Sequence, residues 1–200
     1  MSFHGCKRLA AIVALLGVAA VANFGQQADV AQVRLTDLAG RQTQPLRNAK
    51  AKAVVFFFVQ TSCPVSNRYA PEIKRLYQKF ASAGVKFWLV YPDVDDSAAA
   101  IRRHGKDYGY KLGALRDTKH ALVKATGASV TPEAAVFAPS PDGPRMIYRG
   151  RIDDRVAAFG KTRPAPTARD VEQILAAILG GKPFATTTTV AVGCAIAAVK

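Results

Sequence analysis

Val54-Val55-Phe56-Phe57-Phe58-Val59-Gln60-Thr61-Ser62-Cys63-Pro64-Val65-Ser66-Asn67-Arg68-Tyr69-Ala70-Pro71-Glu72-Ile73 holds the strand-to-helix change that decides the fold. Ala53 to Val59 is a continuous apolar run rich in Val and Phe, the pattern of a strand buried on both faces of a parallel sheet. A short polar turn follows. From Asn67 to Phe80 the apolar residues Tyr69, Ile73, Leu76, Tyr77 and Phe80 recur three and four apart, which predicts an amphipathic helix. Pro71 falls inside it and is expected to kink it. Cys63 stands at the corner. There its sulfur meets the unpaired N–H groups and the positive end of a helix. That placement favours thiolate over thiol, lowering a pKa of about 8.5 towards the roughly 3.5–7.5 of reactive cysteines. The competing reading of Cys63 is a small hydrophobe packed beneath a strand.

The same alternation of strand and helix runs outward. Gln32 to Asp37 alternates polar and apolar residues, as a half-exposed strand does. Val85 to Tyr91 is a second buried strand. Asp95 or Ser97 caps a helix reaching about Tyr108. His120 to Ala125 is a short helix stopped at Gly127. Ala134 to Ala138 and Arg145 to Arg151 flank the turn Pro139-Ser140-Pro141-Asp142-Gly143-Pro144 as a hairpin. Thr167 is placed to cap a last helix bearing Val171, Ile174, Leu175 and Ile178, which ends at Gly180-Gly181-Lys182-Pro183. A Thr/Ala/Val tail of flexible aspect follows, with Gly193-Cys194 near its end. This order predicts an α/β chain, a three-layer α/β/α sandwich whose mixed central sheet gains an antiparallel edge from the hairpin.

The first residues read as an export signal. Lys7 and Arg8 precede the apolar stretch Leu9 to Val21, and Ala20-Val21-Ala22 gives a small-x-small cleavage pattern. The stretch is shorter than the about 20 residues of a comfortable span, so cleavage is expected rather than an uncleaved anchor. The organisation is then residues 1–22 as signal peptide, 31–181 as the globular domain and 182–200 as a tail. Export implies a periplasmic or extracellular location. Cys6 leaves with the signal, and Cys63 and Cys194 remain, too few for a disulfide scaffold and suited either to a redox pair or to one reactive thiol plus a partner. The formal charge of +14 is spread without a dense basic run or a base-stacking aromatic motif. We therefore expect a solvated basic surface with weak affinity for an anionic envelope, and no nucleic-acid partner.

Phe58 to Ser66 resembles the active-site turn of the thioredoxin-like superfamily. Pro71, eight residues after Cys63, matches the kinking proline of the helix that follows that turn. Val130-Thr131-Pro132, just before a buried strand, resembles the cis-proline turn facing the cysteine. Over about Gln32 to Leu179 the chain is most similar to redoxin domains of the alkyl-hydroperoxide-reductase and thiol-specific-antioxidant (peroxiredoxin-like) type, and to envelope disulfide reductases. The resemblance implies a thiol oxidoreductase in which Cys63 attacks a disulfide or a peroxide. Thr131 and Pro132 would shape a substrate groove, Thr131 lending its backbone to an extended peptide.

Two departures shape the expectation. Ser66 stands where a thioredoxin-type site has its second cysteine, so resolution needs a thiol from elsewhere, and Cys194 is the candidate. Ser66 is either a hydrogen-bond donor to the sulfur or a plain first-turn serine. Peroxiredoxins carry Thr or Ser three residues before the reactive cysteine; Gln60 stands here, with Thr61 and Ser62 displaced from that place. Arg149, Arg151 and Arg155 are candidates for the arginine such sites hold near the thiolate.

No flavin, haem or nucleotide motif is present, and no cofactor or metal is expected. The partners implied are protein thiols or disulfides, or a hydroperoxide, together with an external thiol reductant. The acidic pairs Asp93, Asp95, Asp96 and Asp153, Asp154 are expected to cap helices and stay solvated. Two rival readings are a non-catalytic envelope binding or assembly module, and a copper-delivery protein in which His104 or His120 joins Cys63.

Overall fold

A computed structural model describes residues 30–47, 50–183 and 185–198; the expected signal segment 1–22 lies outside them. In chain order the elements are β1 Leu35–Asp37, β2 Gln42–Thr43, β3 Ala53–Phe58, α1 Pro64–Arg68, α2 Ala70–Phe80, β4 Val85–Tyr91 and α3 Ala98–Asp107. There follow β5 Gly113–Arg116, α4 Ala121–Thr126, β6 Val130–Thr131, β7 Glu133–Ser140 and β8 Gly143–Gly150. The chain closes with β9 Val156–Ala158, β10 Lys161–Thr162, α5 Asp170–Leu179, β11 Thr187–Thr188 and β12 Cys194–Ala195.

Eight strands form one mixed sheet in the order β11-β8-β7-β3-β4-β5-β1-β2. β3, β4 and β5 run parallel, and β7 lies antiparallel to β3. Every residue of β3 is buried, as its unbroken apolar run requires. Its side chains alternate between two cores. Val55 and Phe57 pack with Ile73, Leu76, Ile101, Val171 and Leu175, from α2, α3 and α5. Val54, Phe56 and Phe58 pack with Leu122 and Val123 of α4. This is the three-layer α/β/α sandwich, of thioredoxin-like form.

Three local expectations are corrected. The single kinked helix from Asn67 is two helices, broken at Tyr69, with Pro71 in the first turn of α2. A proline without an N–H costs nothing there. Only five residues therefore stand in α1, and the electrostatic help to Cys63 comes from its first turn, where such effects reside. Thr167 does not cap α5. Its N–H bonds Asp154 Oδ1 at 2.7 Å, its hydroxyl bonds Oδ2, and the helix starts at Asp170. Strand β5 was unforeseen because Gly113 opens it and only four residues form it. The glycine is needed there, since a Cβ would lie 2.3 Å from Cζ3 of Trp88 on β4.

An ion-pair cluster binds α2 to α5. Glu72 accepts from Arg75 and Arg169, and Glu172 accepts from Arg75 and, at 2.5 Å, from Lys79. The Arg75 hydrogen bond, aided by Lys79, holds the Glu172 carboxyl down from 4.5 to about 2. A carboxylate lowered in the folded state stabilises above its unfolded value and loses that contribution as pH falls towards the folded one. Urea unfolding should therefore show a stability gap between wild type and Glu172→Gln at pH 6 that closes between pH 5 and 2. A gap independent of pH would mean that the pair contributes through packing alone.

Candidate active site

Cys63 is the N-cap of α1: its Sγ accepts from the Ser66 N–H at 3.4 Å. The same sulfur lies 3.1 Å from Thr131 O, in β6. The Thr131–Pro132 peptide is cis. Thr131 presents its backbone carbonyl to the sulfur. Cys63 is only 1% exposed. Its sulfur is bonded to that of Cys194, 131 residues away, with the Cα atoms 6.1 Å apart, inside the range a disulfide needs.

The tail, of flexible aspect by composition, is docked. Thr187 and Thr188 add to the sheet edge beside β8. Thr189 N bonds Arg149 O, and its hydroxyl meets the Tyr148 hydroxyl at 2.6 Å. Further on, β12 pairs antiparallel with β6, Cys194 opposite Thr131 and Ala195 opposite Val130. Ile196 N closes the register on Ser129 O at 2.9 Å. The backbone edge expected to take a substrate strand is thus occupied by the chain's own residues.

A partly buried polar network shapes the turn before Cys63. Asp96 is buried and accepts from Thr61 N at 3.2 Å and from the Thr61 hydroxyl. Asn67 Nδ2 donates to Thr61 O at 3.1 Å. The Asn67 Oδ1 is 2.8 Å from His104 Nε2, and His104 Nδ1 is 2.8 Å from the Tyr91 hydroxyl. Burial holds His104 below its usual pKa, so the ring is neutral. A consistent assignment has Nε2–H donating to Asn67 and Nδ1 accepting from Tyr91. Gln60 donates its amide to Asp93.

The residues expected at the site divide. Cys63, Cys194, Thr131, Pro132 and Ser66 converge. Thr61 adjoins them, but its hydroxyl is committed to Asp96. Arg149 donates to Gly127 O and faces Glu133, while Arg151 is held by Asp170. His104 serves the network above, and His120 Nε2 lies 3.0 Å from Pro92 O. Asp96, Asp153 and Asp154 are buried rather than solvated, because their carboxylates accept backbone N–H bonds that build turns. Among the described residues no group of three His, Cys, Asp or Glu is placed to hold a metal. Beside the tail lies a cavity of about 560 Å³, bordered by Gln60, Asp93, Asp95, His120, Thr131 and Ala195.

The family model described as the AhpC/TSA family matches residues 24–144. The chain belongs to the AhpC/TSA family. Solved structures similar to this AhpC/TSA chain include an uncharacterised conserved protein from Geobacillus kaustophilus. It shares 24% identity over 82% of this chain and 86% of its own, with a TM-score of 0.68. A hypothetical protein from Sinorhizobium meliloti 1021 follows at 22% identity, 82% and 88% coverage and a TM-score of 0.67. A secreted Mycobacterium tuberculosis disulfide oxidoreductase, homologous to E. coli DsbE, has 18% identity, 77% and 98% coverage and a TM-score of 0.50. At such identities the likeness establishes the fold. No curated protein matches the chain.

Ser66 Oγ is buried without a hydrogen-bond partner in the disulfide state. An orphaned hydroxyl costs about 1–3 kcal/mol. Ser66→Ala should therefore leave the urea midpoint of the oxidised protein unchanged or raised. A loss beyond about 1 kcal/mol would reveal a hydroxyl contact that stabilises the oxidised fold.

Proposed function

We propose that the protein is an exported thiol-disulfide oxidoreductase in which Cys63 is the nucleophile and Cys194 the resolving thiol. One observation carries this reading: a disulfide joins the cap of α1 to a strand laid on the cis-proline turn. Residues 182–200 then form a redox arm on the domain 31–181. Export rests on the N-terminal pattern and on a disulfide being suited to an oxidising compartment. The secreted disulfide oxidoreductase of like fold is in keeping with it. Among the described residues no helix is long and apolar enough to cross a membrane.

Exposure orders the steps. Cys63 is buried and Cys194 is half-exposed, so an incoming thiolate attacks the Cys194 sulfur. The bond to Cys63 breaks, and Cys63 leaves as thiolate towards the Ser66 N–H. A second thiol of the donor then attacks the donor sulfur in the mixed disulfide, freeing Cys194 as a thiol. Two electrons and two protons have passed to the chain, and the donor holds a disulfide. On a partner disulfide the reduced pair acts in the other order: Cys63 attacks a partner sulfur, the partner's other sulfur leaves as thiolate, and Cys194 then attacks Cys63 to close the internal disulfide and release the partner as a dithiol, the relative potentials setting the direction.

Disulfide exchange is favoured over peroxide reduction by the fate of the polar groups. Gln60 is bound to Asp93 and the Thr61 hydroxyl to Asp96, leaving neither to orient a peroxide. The family match is what supports the peroxidase reading.

The test is turnover of a protein disulfide and of hydrogen peroxide with a generic dithiol. Wild type should reduce the disulfide at least about tenfold faster than peroxide. Cys63→Ser should fall to background, a loss of several orders of magnitude when a nucleophile is removed. Cys194→Ser should stall as a Cys63 mixed disulfide visible by mass. Peroxide turnover as fast as disulfide turnover would make the protein a peroxidase. A reduced Cys63 inert to iodoacetamide below pH 8 would leave a binding module.

A further inference from the structure

Gly193 is buried where the tail crosses the cis-proline turn. A Cβ there would stand 2.2 Å from Thr131 O, 2.6 Å from Thr131 C and 3.0 Å from Pro132 N. These are backbone atoms of β6 and of the residue joining it to β7, so no side-chain rotation makes room. The glycine does not occupy the left-handed region, and its role is space rather than backbone freedom. On either side the tail is anchored by aliphatic groups. Val192 packs against the core that holds α2 and α5, and Ile196 against the core that holds α4. Between them Cys194 pairs with Thr131, and its sulfur meets that of Cys63.

We propose that this contact is a selectivity device. The groove accepts, in place of the tail, an extended segment of a partner protein in which glycine directly precedes the reacting cysteine, with aliphatic residues two positions to either side of that cysteine. The inference rests on Cys63 performing disulfide exchange and adds the sequence it acts on. The tail is itself a seated example. Any strand that brings a sulfur to Cys63 along the Thr131 edge in this register must pass the same carbonyl, and a side chain at that point collides with it.

The chemistry closes. Reduced Cys63 attacks the partner's cysteine within a disulfide. The Cys63–partner bond forms, the partner's bond breaks, and its other sulfur leaves as thiolate. Cys194 then attacks Cys63, forming the internal disulfide and expelling the partner's cysteine as a thiol. The chain has lost two electrons and the partner has gained them. Tail and partner take turns on one edge, so the returning tail both resolves the intermediate and clears the groove.

The experiment uses the full-length, reduced Cys194→Ser chain and two capped peptides, Val-Gly-Cys-Ala-Ile and Val-Ala-Cys-Ala-Ile. Each peptide cysteine is activated as a thionitrobenzoate disulfide, and the released chromophore is followed. The glycine peptide should react at least about tenfold faster, since a Cβ overpacked against fixed backbone atoms weakens seating. In Gly193→Ala/Cys194→Ser the internal competitor cannot seat, and the glycine peptide should react faster still with the preference retained. Equal rates for the two peptides would overturn the selectivity and leave disulfide exchange standing. Reaction with neither peptide would overturn both. A wild-type disulfide linking two chains on a non-reducing gel would make the occupant a second copy's tail and overturn the partner assignment.

Discussion

The backbone of Val130 and Thr131, beside a buried sulfur, must find hydrogen-bond partners, and most of the site's design follows from that demand. Buried peptide groups left unpaired are costly, so such an edge is covered either by water or by another strand. The chain covers it with Cys194 and Ala195. Covering the edge aligns the two cysteines, shields Cys63 and sets the register at which Gly193 passes Pro132. One pairing of two residues on each side therefore fixes covalent chemistry, access and steric selection together.

The turn opposite is held with equal care. Asp96, Asn67, His104 and Tyr91 form a partly buried set of hydrogen bonds that converges on the backbone of Thr61. Such networks specify a single arrangement because a half-satisfied member is expensive in a low-dielectric interior. Cys63 thus lies between two rigid supports, the network-braced turn on one side and β6 on the other. The basic charge of the chain has no direct part here, since among the described residues no lysine or arginine lines the cavity.

Much of this was legible in the sequence. The apolar run at β3, the alternation of strands with helices and the hairpin depend on periodicity, which survives without tertiary information. Cys63, Ser66, Thr131 and Pro132 came from local pattern and resemblance, and they do converge. What was hidden depends on contacts between residues far apart in sequence. Nothing near Asp96 or His104 says that they bind Thr61 and Asn67, thirty-five and thirty-seven residues away. The tail's weak Thr/Ala/Val pattern gave no strand signal, because two-residue pairings are too short to show a period. Gly193 was visible as a neighbour of Cys194, but its reason is the carbonyl of residue 131. Thr167 looked like a cap because Ser and Thr usually serve there; the carboxylate of Asp154 claimed it first.

The bond between residues 63 and 194 also closes a covalent ring that spans every element from α1 to β11 and leaves β1, β2 and β3 outside it. A ring of 131 residues restricts the unfolded ensemble by roughly 5 kcal/mol in the chain-entropy description. That is comparable with the total stability of an ordinary domain. Electron transfer and conformational stability are therefore two sides of one thermodynamic cycle. Whatever tightens the seating of residues 187–196 makes the oxidised form harder to reduce, and each donor that opens the ring leaves behind a linear chain with a smaller margin against unfolding.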